Sequence, residues 1–565
     1  MPKLIKTSKV AERRRARRLS IRVLAAFVIL AAFAATLVTP AAAVPDPGSG
    51  TWPAGEVKAR HDAEPMPLVE LVGAAGTGRL YTTDLDEARA AAAGGMRREP
   101  QVVGYLPIGG SIGTAHALYR LKPSATATRW LLTASADERD ALVAQGWRYE
   151  GVVGHSYLRR GAGMAQLQRF SNGREWRVAL ESRRAELIAA GYRFDGGLGY
   201  VYPTWVRAGA VMFPMWHPGG HAKENGCERI YDRRDVWCGV RDFYDGHPLG
   251  TDTWPDADFS WLRPSAGYYD DADPKTWQRH IDTATSAGLS FFNFYWYWDS
   301  KQQVEYSSDV GLAAFLRAPN QTDLDFMVTV CAHDYAPLEI PVAQYQRTAS
   351  IIVEKYVSQP NALRTNDGRK IIGICDPRGL GAGSKADIAA FVSQLRAEAR
   401  DQLGEDVYVS MSHPAFRGAD VPAVGADGAH CTTDSAGIES QSFSRYLSGQ
   451  RAFYGQVPAG TDLMRCVLSG FDERTRYPVQ KADVNSIRYF RDYQKEDFVP
   501  AVRNLRDDQR AAPRFPNVDN FAMIFAWNEW DEGASIEPNE RDGCYFLNTL
   551  RSGLGLVRGG GCSVR

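Results

Sequence analysis

The chain has 565 residues, 44% of them hydrophobic, with 66 basic and 66 acidic side chains. That length implies two or three domains with a sizeable core, and the charge balance excludes a general electrostatic attraction to nucleic acid. Aromatic residues make up 11%, with 14 Trp and 25 Tyr, a supply that serves core packing and equally suits the flat, polar-edged rings of sugars.

Residues 1–43 read as a signal peptide. Arg13, Arg14, Arg15, Arg17, Arg18 and Arg22 form a basic start, Val23–Val38 is an apolar run, and Ala41, Ala42 and Ala43 offer small residues for cleavage. The run is short for a bilayer span, so a secreted, extracellular protein is expected rather than an anchored one. All cysteines fall at or after Cys227. In an exported chain, Cys227 with Cys238 and Cys544 with Cys562 fit local disulfides. Cys331, Cys375, Cys431 and Cys466 sit in strand-like runs and read as buried thiols, or as two further bridges. There is no CxxC pair, which argues against a zinc ribbon.

Residues 44–67 are rich in Pro, Gly and charge and read as a linker. Residues 68–205 repeat themselves. "ADERDALVAQGWRYEG" (136–151) aligns on "ESRRAELIAAGYRFDG" (181–196), with Gly146 on Gly191, Trp147 on Tyr192, Tyr149 on Phe194 and Glu150 on Asp195. A fainter copy occupies 80–100, with Gly95 at the equivalent position, and "ALYRL" (117–121) matches "QLQRF" (166–170). A period of about 45–50 residues, each copy reading as two short strands, a short amphipathic helix and two more strands, implies a small α+β domain of three pseudo-threefold repeats. These copies resemble an uncharacterised repeat family found appended to secreted bacterial hydrolases. The resemblance implies an accessory module, with cell-wall or glycan binding through residues 68–205 as its functional reading and a spacer as the alternative.

Beyond residue 210 apolar runs alternate with helical patterns. The runs are Ala210–His217, Leu289–Trp298, Phe326–His333, Lys370–Pro377, Val407–His413, Gly425–Thr433, Asp462–Phe471 and Asn520–Trp530. Helices are expected over 274–287, 341–357, 384–403, 437–452 and 484–506; the first has Asp273 as N-cap, Pro274 at its first position and Gly288 as its stop. Strand and helix alternating over residues 210–565 implies an α/β fold, a (β/α)8 TIM barrel, with strands buried on both faces.

In such a barrel the active site lies at the C-terminal ends of the strands. The residues there are Trp216 and His217, then Tyr295, Trp298 and Asp299, then His333 and Asp334. His413, Asp472 and Arg476 follow, and last come Trp527, Glu529, Trp530 and Glu532. Glu529 and Glu532 are candidate catalytic groups, because glycoside cleavage needs an acid for the leaving oxygen and a second carboxylate as base or nucleophile. Apolar indoles nearby would help hold one member protonated. The others are candidate sugar-binding residues.

"WNEWDEGASIEP" (527–538) resembles the signature of glycoside hydrolase family 99 and its wider relatives. "GYYDDADPKTWQRHIDTATSAGLSFFNFYWYW" (267–298) and "SGFDERTRYP" (469–478) are similar to further segments of that family in the same order. The resemblance implies a (β/α)8 barrel and endo-acting α-mannosidase chemistry. Glu529 would be the base that deprotonates the sugar 2-hydroxyl, and Glu532 the acid for the leaving group and then the base for water. A 1,2-anhydro sugar would be the intermediate, and the configuration would be retained. Glu537 would have a structural role. Phe471, Glu473, Asp531 and "CAHDYAP" after strand three depart from the family pattern, so the sugar-binding rim is expected to differ from that of a mannan reader. Some relatives belong to surface-polysaccharide assembly clusters and are sometimes described as glycosyltransferases.

The expected partner is a glycan, the expected state a monomer, and neither cofactor nor metal is expected. One rival is a metal-dependent hydrolase using His217, His333, Asp334, His413 and His430; it is disfavoured because His217 and His221 are separated by "PGG" rather than forming a His-x-His pair. The other is a non-catalytic glycan- or wall-binding protein. "GICDPRGLGAGS" (373–384) lacks the Lys-Ser/Thr ending of a phosphate-binding loop.

Overall fold

The computed structural model describes residues 65–74, 76, 78–99, 101–107, 115–161, 163–219, 235–246, 254–412, 420–430, 442–458, 461–476, 487–511, 517–518, 520–556 and 560–563. The expected signal peptide, most of the linker, and His221, Cys227, His413 and Cys431 lie outside the described residues.

A strand–strand–helix–strand unit occurs three times in succession. In the first, Pro65–Val72 pairs with Arg79–Thr82, helix Leu85–Ala93 follows, and Arg97–Arg98 and Gly104–Pro107 return against the first strand. The second uses Ala115–Lys122, Leu131–Thr133, helix Ala136–Ala144 and Arg148–Tyr157. The third uses Ala165–Ser171, Trp176–Leu180, helix Arg184–Ala189 and Arg193–Val201. The first two helices start where Asp84 and Ser135 accept backbone N–H groups of their first turns. Two short return strands per copy are expected from the sequence, but in copies two and three they are one strand. Gly151, Gly154, Gly196 and Gly199, all at positive φ, lie at or beside its register shifts. A glycine bulge bends a strand without ending it.

Buried arginines join successive copies. Arg120 of the second copy binds Glu87 on the first copy's helix at 2.6 and 2.8 Å. Arg169 of the third binds Glu138 on the second copy's helix at 2.9 and 3.0 Å. The repeat alignment puts Arg183 where Glu87 and Glu138 stand, and Glu70 where Arg120 and Arg169 stand, so the third seam carries its charges reversed. Here Glu70 takes Arg79 of its own copy at 2.6 Å, and Arg183 takes Glu186 of its own helix at 2.6 Å. The first copy also meets the barrel: Arg89 bonds to Asp367 and, at 3.1 Å, to Asn517.

The eight expected barrel strands are all present, parallel, and close in chain order. They are Arg207–Met212, Phe291–Trp296, Asp325–Cys331, Lys370–Asp376, Val407–Met411, Gly428–His430, Asp462–Leu468 and Phe521–Phe525. Arg207–Met212 pairs with Phe291–Trp296 on one side and with Phe521–Phe525 on the other, which seals the ring. At its N-terminal end Arg207 and Asp325 form a buried ion pair at 3.1 Å.

Helix Pro274–Ser286 begins at Asp273 as the sequence requires, and Lys385–Leu403 runs from the Ser384 cap to Gly404 in the left-handed region. The helix expected over 484–506 is instead Phe498–Ala511. The residues ahead of it are drawn to the barrel rim, where Arg488 pairs with Glu473 and Tyr489 bridges to Asp472. Helices Cys238–Tyr244, Ser308–Phe315 and Tyr545–Leu554 are further elements. Cys331 and Cys375 form a disulfide between strands three and four rather than free thiols, and Cys544 pairs with Cys562 as expected. Cys238 and Cys466 are also disulfide-bonded.

Candidate functional site

Strand eight stops at Phe525, four residues short of the first glutamate. Glu529 sits in a hairpin beyond it, where Asn528–Glu529 pairs with Ala534–Ser535, and Glu532 ends the tight turn Trp530–Glu532. Gly533 closes that turn at φ +60°, and a Cβ there would lie 2.5 Å from the Asp472 Cβ and 2.8 Å from its backbone N, so only glycine fits.

The hairpin is fixed to the barrel residue by residue. The Trp527 N–H donates to Val211 O at 2.7 Å, and the Glu537 N–H to Trp527 O at 3.0 Å. The Asn528 side chain both accepts from Phe213 N at 2.9 Å and donates to Phe213 O at 3.0 Å, as a strand neighbour would. The Trp216 indole donates to Asn528 O at 2.9 Å. Asn528 is thus a positioning group that the sequence reading passed over.

Arg476 draws the acids together. Its Nη1 is 2.5 Å from Glu532 Oε1, its Nη2 3.6 Å from Glu529 Oε2, its Nε 3.1 Å from Asp531 Oδ2, and its Nη1 3.9 Å from Glu473 Oε1. Burial alone would lower the guanidinium pKa, but Asp531, Glu532 and Glu529 hold it well above its ordinary value. One permanent cation therefore offsets the repulsion among the carboxylates. Glu529 is 3% exposed.

Tyr295 and Tyr297 face the pair. Burial, followed by the charges of Glu529 and Glu532, raises the Tyr297 phenol far above its usual pKa; Tyr295 is raised by burial, then by Tyr297 and the same two glutamates. Both hydroxyls stay protonated beside the carboxylates. The Tyr297 ring stacks on His333 (centroids 5.9 Å, 24°), and His333 on Tyr335 (5.3 Å, 12°). This row of rings leads outward to Tyr335, which is 57% exposed. His333 Nδ1 is held 3.0 Å from Asp376, and Asp376 in turn binds Arg378. Exposed Asp334 lies 3.7 Å from Arg378.

The remaining expected contacts lie elsewhere. Trp216, Trp298, Trp527 and Trp530 are fully buried, so none offers a ring face to a sugar. Trp216 stacks on Trp237 at 3.9 Å, and the Trp298 indole donates to Gln344. His217 is 1% exposed and bonds to the carbonyls of Pro218 and Ser307. Asp299 caps its own turn through Lys301 N and Gln302 N. Asp472 binds Arg474 at 2.6 Å. His430 is buried against Ser410 at 2.9 Å. Tyr297, Tyr335, Asp531 and Glu473, by contrast, join the site although none was named as a candidate catalytic or sugar-binding residue.

Behind the hairpin lies a buried polar cluster. Glu537 Oε2 accepts from the Tyr269 hydroxyl at 2.8 Å and the Trp530 indole at 3.0 Å, and its Oε1 lies 3.4 Å from His280 Nδ1. The Trp527 indole donates to the same His280 nitrogen at 3.1 Å. Burial pushes the Glu537 pKa up to about 8 and lowers His280 to about 3, so both groups are neutral near pH 6. A raised carboxyl pKa stabilises the fold fully below the ordinary value of 4.5, and that contribution is lost as the pH rises through about 8. We expect Glu537→Gln to remove a fall of about 1.4 kcal/mol per pH unit in this window. In melts from pH 5 to 9 the variant should gain on the parent as pH rises; parallel Tm curves would refute the assignment.

Comparison with known proteins bears on both halves of the chain. Residues 385–550 match the family model Glycosyltransferase WbsX, a span containing Arg476, Glu529 and Glu532, and residues 67–202 match a domain of unknown function, DUF5648. Among solved structures, the chain is similar to a glycoside hydrolase-like protein at 18% identity, covering 52% of this chain and 89% of the other with a TM-score of 0.39. It is similar to the GH99 endo-alpha-mannosidase from Bacteroides thetaiotaomicron, in complex with BIS-TRIS-propane, at 15% identity over 62% of this chain and 97% of the other, with a TM-score of 0.40. The GH18 chitinase ChiB from Flavobacterium johnsoniae matches at 12% identity over 50% and 91%, with a TM-score of 0.29. No curated protein matches the chain.

Proposed function

We propose that the barrel is a secreted glycoside hydrolase that cleaves α-linked, mannan-like polysaccharide with Glu529 and Glu532. The observation that carries this reading is the pair itself: two carboxylates share the Arg476 guanidinium beyond the C-terminal end of strand eight, beside two protonated tyrosines. Glu529 takes the proton of the sugar 2-hydroxyl, whose oxygen attacks the anomeric carbon. The glycosidic bond breaks as Glu532 gives its proton to the leaving oxygen. Water, deprotonated by Glu532, then opens the 1,2-anhydro sugar while Glu529 returns the proton to O2. Two inversions leave the configuration unchanged. The disulfides Cys331–Cys375 and Cys544–Cys562 support export to an oxidising compartment.

The family description over residues 385–550 favours a second reading, in which a sugar hydroxyl replaces water and the glycan is transferred. One experiment separates the two. The secreted protein is incubated with α-mannans and bacterial wall polysaccharides, and new reducing ends and lengthened products are both measured. Reducing ends of retained configuration support hydrolysis, lengthened chains support transfer, and polymers unchanged across the panel defeat both.

A further inference from the structure

At the third seam of the repeat ring the interlocking pair is absent, and a cavity of about 540 Å³ occupies the place. It lies between the first and third copies and the N-terminal end of the barrel, remote from the glutamate pair. Glu70 and Arg183, the reversed seam residues, both line it. At the other two seams the corresponding groups bind each other; here Glu70 takes Arg79 of its own copy and lies 3.8 Å from Arg177 of the third, while Arg183 takes Glu186 of its own helix.

The walls are built for a ligand with polar edges and an apolar face. Tyr105 and Trp205 supply rings, and Trp205 is held against Tyr202 at 4.9 Å. Asn520, only 6% exposed, has its Nδ2 without a partner while its Oδ1 accepts from Asn366. Gln509 has its Oε1 without a partner while its Nε2 donates to Phe521 O. A buried amide lacking a partner is costly, and a wall that offers both a donor and an acceptor suits hydroxyl groups, which can accept and donate. Three carboxylates and three guanidinium groups line the same space. That balance gives a charged ligand no net attraction and offers a neutral one hydrogen bonds of both senses. The volume is that of an ordinary small-ligand site, in the range of about 300–1,000 Å³.

We propose that this cavity binds a short neutral oligosaccharide, so that the repeat module and the barrel form together a second glycan site on the opposite side from the catalytic mouth. The proposal rests on the reading of the substrate as a glycan, but not on its cleavage. The test uses the full secreted chain carrying Glu529→Gln and Glu532→Gln, titrated calorimetrically with α-mannotetraose and with maltotetraose. Trp205→Ala and Gln509→Leu are then added separately, with Tm checked for each. Expected is a binding event that either substitution weakens at least tenfold, while neither changes the turnover of the otherwise wild-type protein. Binding unaffected by both substitutions, or no binding of either sugar, overturns the proposal. If the wild-type protein cleaves nothing yet the Trp205-dependent event persists, the hydrolase reading fails and the cavity site stands.

Discussion

Glu532→Gln is expected to lower kcat on polysaccharide by about a thousandfold, and Glu529→Gln by at least as much, the range of about 10²–10⁴ typical of a lost general acid or base. The two losses should differ in kind. An aryl glycoside with a good leaving group needs little protonation, so it should recover most of the rate with Glu532→Gln. It should recover little with Glu529→Gln, because the 2-hydroxyl proton must still be removed. Steady-state kinetics of both variants on both substrates reads the distinction. If either variant keeps more than about a tenth of the parental rate on polysaccharide, the assigned roles are wrong.

Arg476→Met is expected to be the most destabilising single change at the site, by about 3–5 kcal/mol, because it leaves buried carboxylates without their cation. Glu529, Asp531 and Glu532 all lie within 3.6 Å of that guanidinium. Arg476→Lys should recover only part, since one ammonium cannot span three acids. In the structure Arg476 grips Glu532, which must carry a proton to act as acid. A sugar entering between them would leave the guanidinium on Asp531. Activity should therefore fall further with Asp531→Asn than its modest exposure suggests. A wild-type Tm for Arg476→Met would show that the acids are not held by this cation.

The barrel was legible because its strands are unbroken apolar runs with helix caps between them: six strands fall inside the expected runs, and the first and third overlap theirs but start earlier, at Arg207 and Asp325. What misled was the rim. In "FYWYW" successive residues point to opposite faces. Tyr295 and Tyr297 share the face turned to the glutamates, while Trp296 and Trp298 bond outward to Glu305 and Gln344. Pairing Tyr295 with Trp298 as ligands ignored this period of two, which the sequence displays openly. Trp527 and Trp530 could not be placed that way, because the chain leaves the strand at Phe525 and alternation no longer applies. Their partners His280 and Glu537 are 247 and 7 positions away, contacts that no local pattern encodes. The gathering of Glu529, Asp531 and Glu532 on Arg476 likewise joins residues more than 50 positions apart. The Cys331–Cys375 bridge was one of several open pairings until strands three and four were seen side by side.

The reversed polarity at one seam gives the repeat ring a sense of direction. At the aligned seam positions only the middle copy carries both the strand arginine, Arg120, and the helix glutamate, Glu138, so an array of middle copies alone could dock head to tail in any number. In the natural order the helix charges Glu87, Glu138 and Arg183 face Arg120, Arg169 and Glu70. Assembled in the opposite rotation, Glu138 would confront Glu70 and Arg183 would confront Arg120, like against like at two junctions of the three. The ring thus admits one handed arrangement of its own copies.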